Sequence, residues 1–472
     1  MKVLLVRPVD KQIEKVEMWP LLGLGYLAAA LRKNHSVEIL DCPKEKMTYE
    51  QFANYLKVKN FDVVGFSFIS VSLESTKKCI CIVKRVNPKI TVIVGGPHVS
   101  GIPKDALEFL QEADFGFQGE ADRGLPLLLD GLSSGTSQNF SEIPGLVWRN
   151  DSKIVVNPAE FIENLDSLGV PAWDLIRPGS YLKSCYLHSH VHPAIVRKNV
   201  FSAPLSVTRG CVYNCIFCGC GAVAGKVFRK PSTAHVISEI KLLYNVYGVR
   251  MFMIIDDNIG FDNKFLKDFC RHLINLGLDI KWNIPLGLRL DNLDEETFRL
   301  MDKSGCYYFS VGIESGSQRI LDLMKKGITL QMTRENISLV KKTTKIKVGG
   351  LFVLGFPSET KDDVRRTIRL AKELPLDSAH FFLFSPAPGS QLWDSYKRSG
   401  KLDQFDWNKG WGKALSIPPD AISVKELKKL YIYAYISFYL RPKIFFNLLR
   451  YPPSFILKYI AQSKPLFIDF LR

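Results

Sequence analysis

The chain has 472 residues, 46% hydrophobic and 23% charged, which is ordinary for a soluble globular protein and long enough for two or three domains with cores of their own. A net charge of +16 invites a nucleic-acid partner, but its distribution argues against a basic domain. Residues 1–150 carry 18 Lys and Arg against 17 Asp and Glu, whereas the last 48 residues hold nine basic and two acidic side chains among aromatic and aliphatic ones.

The opening run Met1-Lys-Val-Leu-Leu-Val-Arg-Pro8 is too short for a signal peptide and reads as a strand. Ten cysteines with a single dense group argue for a reducing cytosol, so a cytoplasmic location is expected.

Short apolar runs then alternate with helical patterns. Val3–Val6, Val37–Leu40, Val63–Phe68, Thr91–Val94 and Phe115–Phe117 read as buried strands. Leu21–Arg32, Thr48–Lys57, Ser72–Val86 and Pro103–Gln111 have helical length and period. This alternation predicts an α/β domain with a doubly wound, Rossmann-like parallel sheet over residues 1–135. Such sheets bind ligands at the carboxyl ends of their strands. The candidate loops there hold Ser67 and Ser70, Gly95 and Gly96, and Gly119 and Glu120. Glycines let a large flat ligand approach the backbone and serines can bond its polar rim, although each of these singly also reads as a turn residue.

From Trp19-Pro-Leu-Leu-Gly-Leu-Gly-Tyr-Leu-Ala28 to Gly119-Glu120 this segment resembles the cobalamin-binding domain found ahead of many radical S-adenosylmethionine (SAM) domains. Cobalamin is therefore an implied cofactor. The Asp-x-His-x-x-Gly run that often supplies a lower cobalt ligand does not occur, and His98 reads as a loop residue rather than its replacement.

Residues 136–200 read as a linker, interrupted by Pro144, Pro158, Pro171, Pro178 and Pro193, with one hairpin pairing Gly145–Trp148 with Lys153–Val156. His188, His190 and His192 alternate as in a metal-binding strand, but a polar linker edge accounts for them as well.

Strand–helix alternation resumes at Leu205. Strands are expected at Leu205–Val207, Met251–Ile255, Lys281–Ile284, Tyr307–Ile313, Gly349–Leu354 and His380–Phe384. Helices are expected at Ala234–Tyr247, Lys264–Leu276, Glu295–Lys303, Leu330–Lys342 and Lys361–Leu374. Six such units over residues 201–400 suggest a partial (β/α)6 barrel, with chemistry at the carboxyl ends of its strands.

The loop after the first of these strands carries Cys211, Cys215 and Cys218, three thiols within eight residues. That spacing lets them share one soft metal centre; a cubic iron–sulfur cluster needs four ligands, so three would leave one iron open. A structural zinc site with Cys220 as fourth ligand is the alternative, but such sites usually pair two short cysteine hairpins across a longer gap.

Cys-x-x-x-Cys-x-x-Cys with Phe217 before its last cysteine resembles the signature of the radical SAM enzymes. The resemblance implies a [4Fe-4S] cluster on the three cysteines, SAM chelated by the open iron, and a 5′-deoxyadenosyl radical that abstracts hydrogen from a C–H bond. It also implies SAM contacts along the barrel: Asp256 and Asp257 after the second strand, Glu314 after the fourth, and Gly355 after the fifth. Read from the residues alone, the two aspartates could cap a helix, Glu314 could pair with a nearby arginine such as Arg289, and Glu359 reads as a helix-start residue.

Residues 401–472 read as a helical extension that covers the barrel and shapes its pocket, because an open partial barrel needs something to close it, with a membrane-surface position as the alternative; Arg441-Pro442 and Pro452-Pro453 break it too often for it to span one. The combined resemblance implies methylation of an unactivated carbon in a small-molecule or peptide natural product, with a flavodoxin or ferredoxin as electron donor. Ring formation or rearrangement by the same domains is the alternative. A methylthiotransferase is disfavoured because its three extra cluster cysteines are not matched by Cys42, Cys79 and Cys81. A cluster-bearing sensor would need no SAM loops.

Overall fold

A computed structural model describes residues 1–10, 20–135, 139–181, 200–403, 405–407, 417 and 419–448. Trp19, the three alternating histidines and the end of the tail lie outside these residues. By its contacts the chain divides into two compact units. One comprises Met1–Arg177, Phe217–Pro231 and Ala387–Asn408; the other comprises Pro178–Ile216, Ser232–Pro386 and Lys409–Arg472.

The first unit is built on strands β1 (Lys2–Arg7), β2 (Ser36–Asp41), β3 (Val63–Ser67), β4 (Thr91–Gly95), β5 (Phe115–Phe117), β6 (Leu146–Asn150) and β7 (Lys153–Val156), in the order β2-β1-β3-β4-β5-β6-β7. Pairing is parallel from β2 through β5 and antiparallel for β6 and β7. The expected hairpin therefore forms and extends the first sheet.

Strand residues alternate between two cores, as a sheet buried on both faces requires. Leu4, Val6, Val64, Phe66, Val92 and Val94 pack with helices α2 (Tyr49–Lys59), α3 (Leu73–Val86) and α5 (Pro103–Phe109). Val3, Leu5, Val63 and Ile93 pack with α1 (Leu22–Leu31) and α6 (Gly124–Ser134) on the other face. Between α3 and α5 lies α4 (Pro97–Gly101), a short helix where the sequence suggested a loop. A final turn, α7 (Trp173–Ile176), buries Trp173.

The second unit holds β8 (Phe201–Leu205), β9 (Val249–Ile254), β10 (Lys281–Leu288), β11 (Cys306–Glu314), β12 (Lys347–Leu354) and β13 (Ser378–Leu383), in consecutive order and parallel throughout. The alternating helices are α8 (Thr233–Tyr247), α9 (Asn263–Leu276), α10 (Glu295–Lys303), α11 (Gln318–Leu323), α12 (Leu330–Thr343) and α13 (Lys361–Glu373). Side-chain caps fix most of their starts: Ser232, Asp262, Asp294, Thr329 and Thr360 each accept a backbone N–H three residues on.

The order leaves β8 and β13 as edges. An edge strand exposes unpaired backbone groups, and in β13 these are taken by α14 (Val424–Tyr439). Tyr435 Oη donates to the Phe381 carbonyl at 3.0 Å and accepts the Phe381 N–H at 3.2 Å; Tyr439 Oη does the same for Ala379 at 2.9 and 3.3 Å. Two phenols thus replace the strand that a closed barrel would supply. A last helix, α15 (Pro442–Leu448), follows.

Candidate cofactor and active site

The cysteine loop is fixed to the second sheet from several directions. The first strand ends at Leu205, earlier than expected, and Val207 and Thr208 beyond it bond Asp256, two residues past the end of β9. Asp256 Oδ1 accepts the Val207 N–H at 2.8 Å and its Oδ2 accepts the Thr208 hydroxyl at 2.8 Å. Asp256 is buried, and that burial pushes its carboxyl up to about 8. Asp257 is exposed, and its Oδ2 accepts the Gly210 N–H at 3.1 Å. The two aspartates thus divide their work: one is spent inside the loop's base, the other grips its rim and still faces solvent.

Arg289, just beyond β10, holds the middle of the run. Its guanidinium lies 3.6 Å from the centroid of the Tyr213 ring, between Cys211 and Cys215 in sequence. The same guanidinium makes a forked pair with Asp291 at 3.1 and 2.8 Å and donates to the Lys326 carbonyl at 2.6 Å. Tyr213 Oη in turn donates to Asp291 at 3.3 Å, and the Ile216 N–H donates to the Met324 carbonyl at 3.1 Å.

Glu314 ends β11 with φ +63°, in a left-handed conformation that costs a residue with a Cβ. Its partner is Lys326, Nζ to Oε1 2.8 Å, not Arg289 as the sequence allowed. Burial pulls the Lys326 ammonium down, but the charges of Glu314 and Cys215 outweigh it and hold the ammonium above its ordinary value. Arg289 is also within electrostatic reach of Cys215. Lys326 and Arg289 thus both lie within electrostatic reach of this thiol, and a metal binds a cysteine as its thiolate.

Gly355, after β12, has φ +82°. Its N–H and that of Phe356 donate to Glu359 Oε2 at 2.5 and 3.2 Å. Glu359 is thus no helix-start residue: Thr360 caps α13, and Glu359 sits fully buried ahead of it.

The donor set suits an iron–sulfur cluster. Cys211, Cys215 and Cys218 are not in disulfides, the first two half-buried and the third exposed, whereas Cys220 opens a separate helical turn, Cys220–Ala224. Among the described residues no group of three His, Cys, Asp or Glu is close enough together to form a ready metal cage, so the fit rests on thiol chemistry and the neighbouring cations.

In the first unit the expected loops all lie at the carboxyl ends of β3, β4 and β5. Gly96, at φ +93°, has room for no side chain: a Cβ would meet the Phe68 N and O atoms at 2.8 Å. The Gly119 N–H donates to Ser100 Oγ at 3.0 Å, a partner the sequence did not single out. Ser70 Oγ lies 3.0 Å from His98 Nδ1. His98 is buried between Phe68 and Trp407, and burial lowers its pKa to about 4. Both Glu120 oxygens bond Arg229 at 2.8 Å, joining the segment after the cysteine loop to this sheet. Ser67 and Gly95 complete the rim, paired across β3 and β4.

Residues 16–129 match the family model of the B12 binding domain, and residues 205–371 match that of the Radical SAM superfamily. Together they define a cobalamin-binding radical SAM enzyme, with a [4Fe-4S] cluster, SAM and cobalamin as its cofactors. The chain is 31% identical over 97% of its length to an uncharacterized methyltransferase of Pyrococcus horikoshii, covering 96% of that protein. It is 30% identical to the cytidylyl-2-hydroxyethylphosphonate methyltransferase of Streptomyces wedmorensis, over 81% of this chain and 78% of that one. The fold is shared with the radical SAM methyltransferase TsrM of Kitasatospora setae, at a TM-score of 0.68 and 19% identity, over 84% of this chain and 76% of that one. The chain belongs to the cobalamin-dependent radical SAM methyltransferase family.

Two residues of the site escaped sequence reasoning. From the sequence Arg289 reads only as a partner for Glu314, and nothing singles out Lys326. The run Met324-Lys-Lys-Gly327 holds no local signal: Lys326 follows an exposed lysine and precedes an exposed glycine, yet it is buried against Glu314.

Proposed function

We propose that this enzyme methylates an unactivated carbon of a small-molecule or peptide natural product in the cytoplasm, drawing its electron from a flavodoxin or ferredoxin. The reading is carried by the methyltransferase of Pyrococcus horikoshii, which matches the chain nearly end to end. When bound, the cluster and SAM supply hydrogen abstraction from a C–H bond and cobalamin supplies the methyl group.

The chain's own residues bind and orient. Cys211, Cys215 and Cys218 would hold the cluster. Asp257, anchored by one hydrogen bond and open to solvent, would accept the ammonium of SAM. Glu314, fixed through Oε1 by Lys326, keeps Oε2 for a ribose hydroxyl. Gly355 would lie against the adenine, and Asp256 keeps the loop's base rigid. In the first unit Ser67, Ser70, Gly95, Gly96 and Gly119 form the rim proposed for cobalamin, with Glu120 acting through Arg229. A lower cobalt ligand from His98 is not part of this reading, because that ring is packed inside the unit.

The test is product analysis with methyl-labelled SAM and extracts of the native host. Label in a new carbon–methyl bond is expected. Turnover of SAM with a changed product that carries no label would replace methylation by ring formation or rearrangement.

A further inference from the structure

The two faces of α14 have different surroundings. Leu427, Tyr431, Ala434 and Phe438 are buried, on the side from which Tyr435 and Tyr439 seal β13. The exposed stripe runs Lys425, Lys429, Tyr433, Ile436 and Leu440, one helical face by its spacing. Tyr433 is 53% exposed, Ile436 44% and Leu440 69%; in α15 Phe445 and Phe446 add 51% and 65%. Single exposed apolar side chains need no explanation, but a continuous row of large ones marks an interaction surface.

Helix α13 lies beside α14 and runs the same way: Lys361 at its start pairs with Glu426 at 2.6 Å, and near its end the Lys372 carbonyl accepts Arg441 at 2.8 Å. Its exposed residues include Arg365, Arg369 and Lys372. The carboxylates of the two helices are already engaged, Asp362 by Arg366, Asp363 by Arg319, Glu373 by Arg334 and Glu426 by Lys361. Arg365, Arg369, Lys372, Lys425 and Lys429 have no acidic partner among the described residues.

We infer that α13, α14 and α15 form a docking surface for an anionic lipid bilayer. Unpaired cations beside exposed Tyr, Ile, Leu and Phe match the two attractions a bilayer surface offers, anionic headgroups and the acyl boundary. A nucleic acid would use the cations but gain nothing from Ile436, Leu440 and Phe446. A second copy of the chain would set like charges against each other. The sequence of residues 449–472, with four basic side chains and one acidic, would add to this charge rather than neutralise it. No helix among the described residues is long and apolar enough to cross a membrane, so the contact is peripheral.

Co-sedimentation of the full chain with phosphatidylcholine vesicles, with and without an equal share of phosphatidylglycerol, tests this. Binding to the anionic vesicles should be at least about tenfold tighter. Each cation near such a surface is worth roughly fivefold in binding, so Lys425→Glu with Lys429→Glu should weaken it by about twentyfold or more. Tyr433→Ser with Ile436→Ser should weaken binding to the same vesicles. Arg365→Glu with Arg369→Glu, on a separate helix, repeats the charge test should the α14 variants misfold by circular dichroism. Equal partition onto both vesicle types overturns the inference, as does wild-type binding by folded charge variants. A dimer in sedimentation equilibrium that these substitutions dissolve, with no vesicle binding, also overturns it in favour of self-association.

Discussion

The guanidinium of Arg289 covers the ring of Tyr213 at 3.6 Å while a fork to Asp291 keeps it in place. One residue beyond the third barrel strand therefore clamps the centre of the cysteine run. A cation over an aromatic face is worth about 0.5–2 kcal/mol, and Lys cannot reproduce the planar fork. Both Arg289→Met and Arg289→Lys should lower cluster retention severalfold, measured as iron per chain after anaerobic reconstitution and desalting. Tyr213→Phe, which keeps the ring, should retain most of it. Equal loss from Tyr213→Phe would show that the ring contact is not what holds the loop.

The pair between Glu314 and Lys326 joins two largely buried side chains, 12% and 9% exposed. Removing one partner from a buried pair costs about 3–5 kcal/mol, because the other is left charged and alone. Lys326→Met should therefore lower the urea midpoint strongly, and adding Glu314→Gln should restore part of the loss. Additive effects in that double-mutant cycle would contradict direct coupling.

Burial pushes the Glu359 carboxyl up to about 8, from an ordinary value of 4.5. Between those values the folded chain holds a proton that the unfolded chain has released, so this group's contribution to stability is present at low pH and is lost as pH rises toward 8. Glu359→Gln carries no such proton. The wild type should lose stability relative to Glu359→Gln from about pH 5 to pH 8, and parallel melting curves would contradict the assignment.

Tyr435 and Tyr439 each satisfy one N–H and one carbonyl on the open edge of β13. An unsatisfied buried polar group costs about 1–3 kcal/mol. Tyr435→Phe and Tyr439→Phe should each destabilise the second unit by roughly that amount. Hydrogen exchange at the amides of Phe381 and Ala379 should speed up in step, and unchanged exchange would show that water takes over the role.

The sheets were legible because their strands are continuous apolar runs of Val, Ile and Phe separated by helical periods; β3, β4 and β12 fall within a residue or two of where those runs suggest. Short elements were not: α4 opens at Pro97, straight after Gly95-Gly96, a run that reads as a turn, and His98, Val99 and Ser100 are buried on it. Within the site, the cysteines announce themselves by spacing. Glu314 announces itself as a carboxylate at the end of an apolar strand. Its partner comes twelve residues later, after an intervening helix, and nothing local links the two. Glu359 misleads for a related reason. Beside a threonine cap it has the sequence of a helix start, while its oxygen is turned back toward Gly355.

The central claim is that one chain carries a single cluster on Cys211, Cys215 and Cys218 together with cobalamin. Quantifying iron and cobalamin after anaerobic reconstitution tests it most directly. About four irons and one cobalamin per chain are expected, with the iron lost from the Cys211→Ala, Cys215→Ala, Cys218→Ala variant and kept by Cys220→Ala. About eight irons with no cobalamin, or loss of metal from Cys220→Ala, would contradict the account.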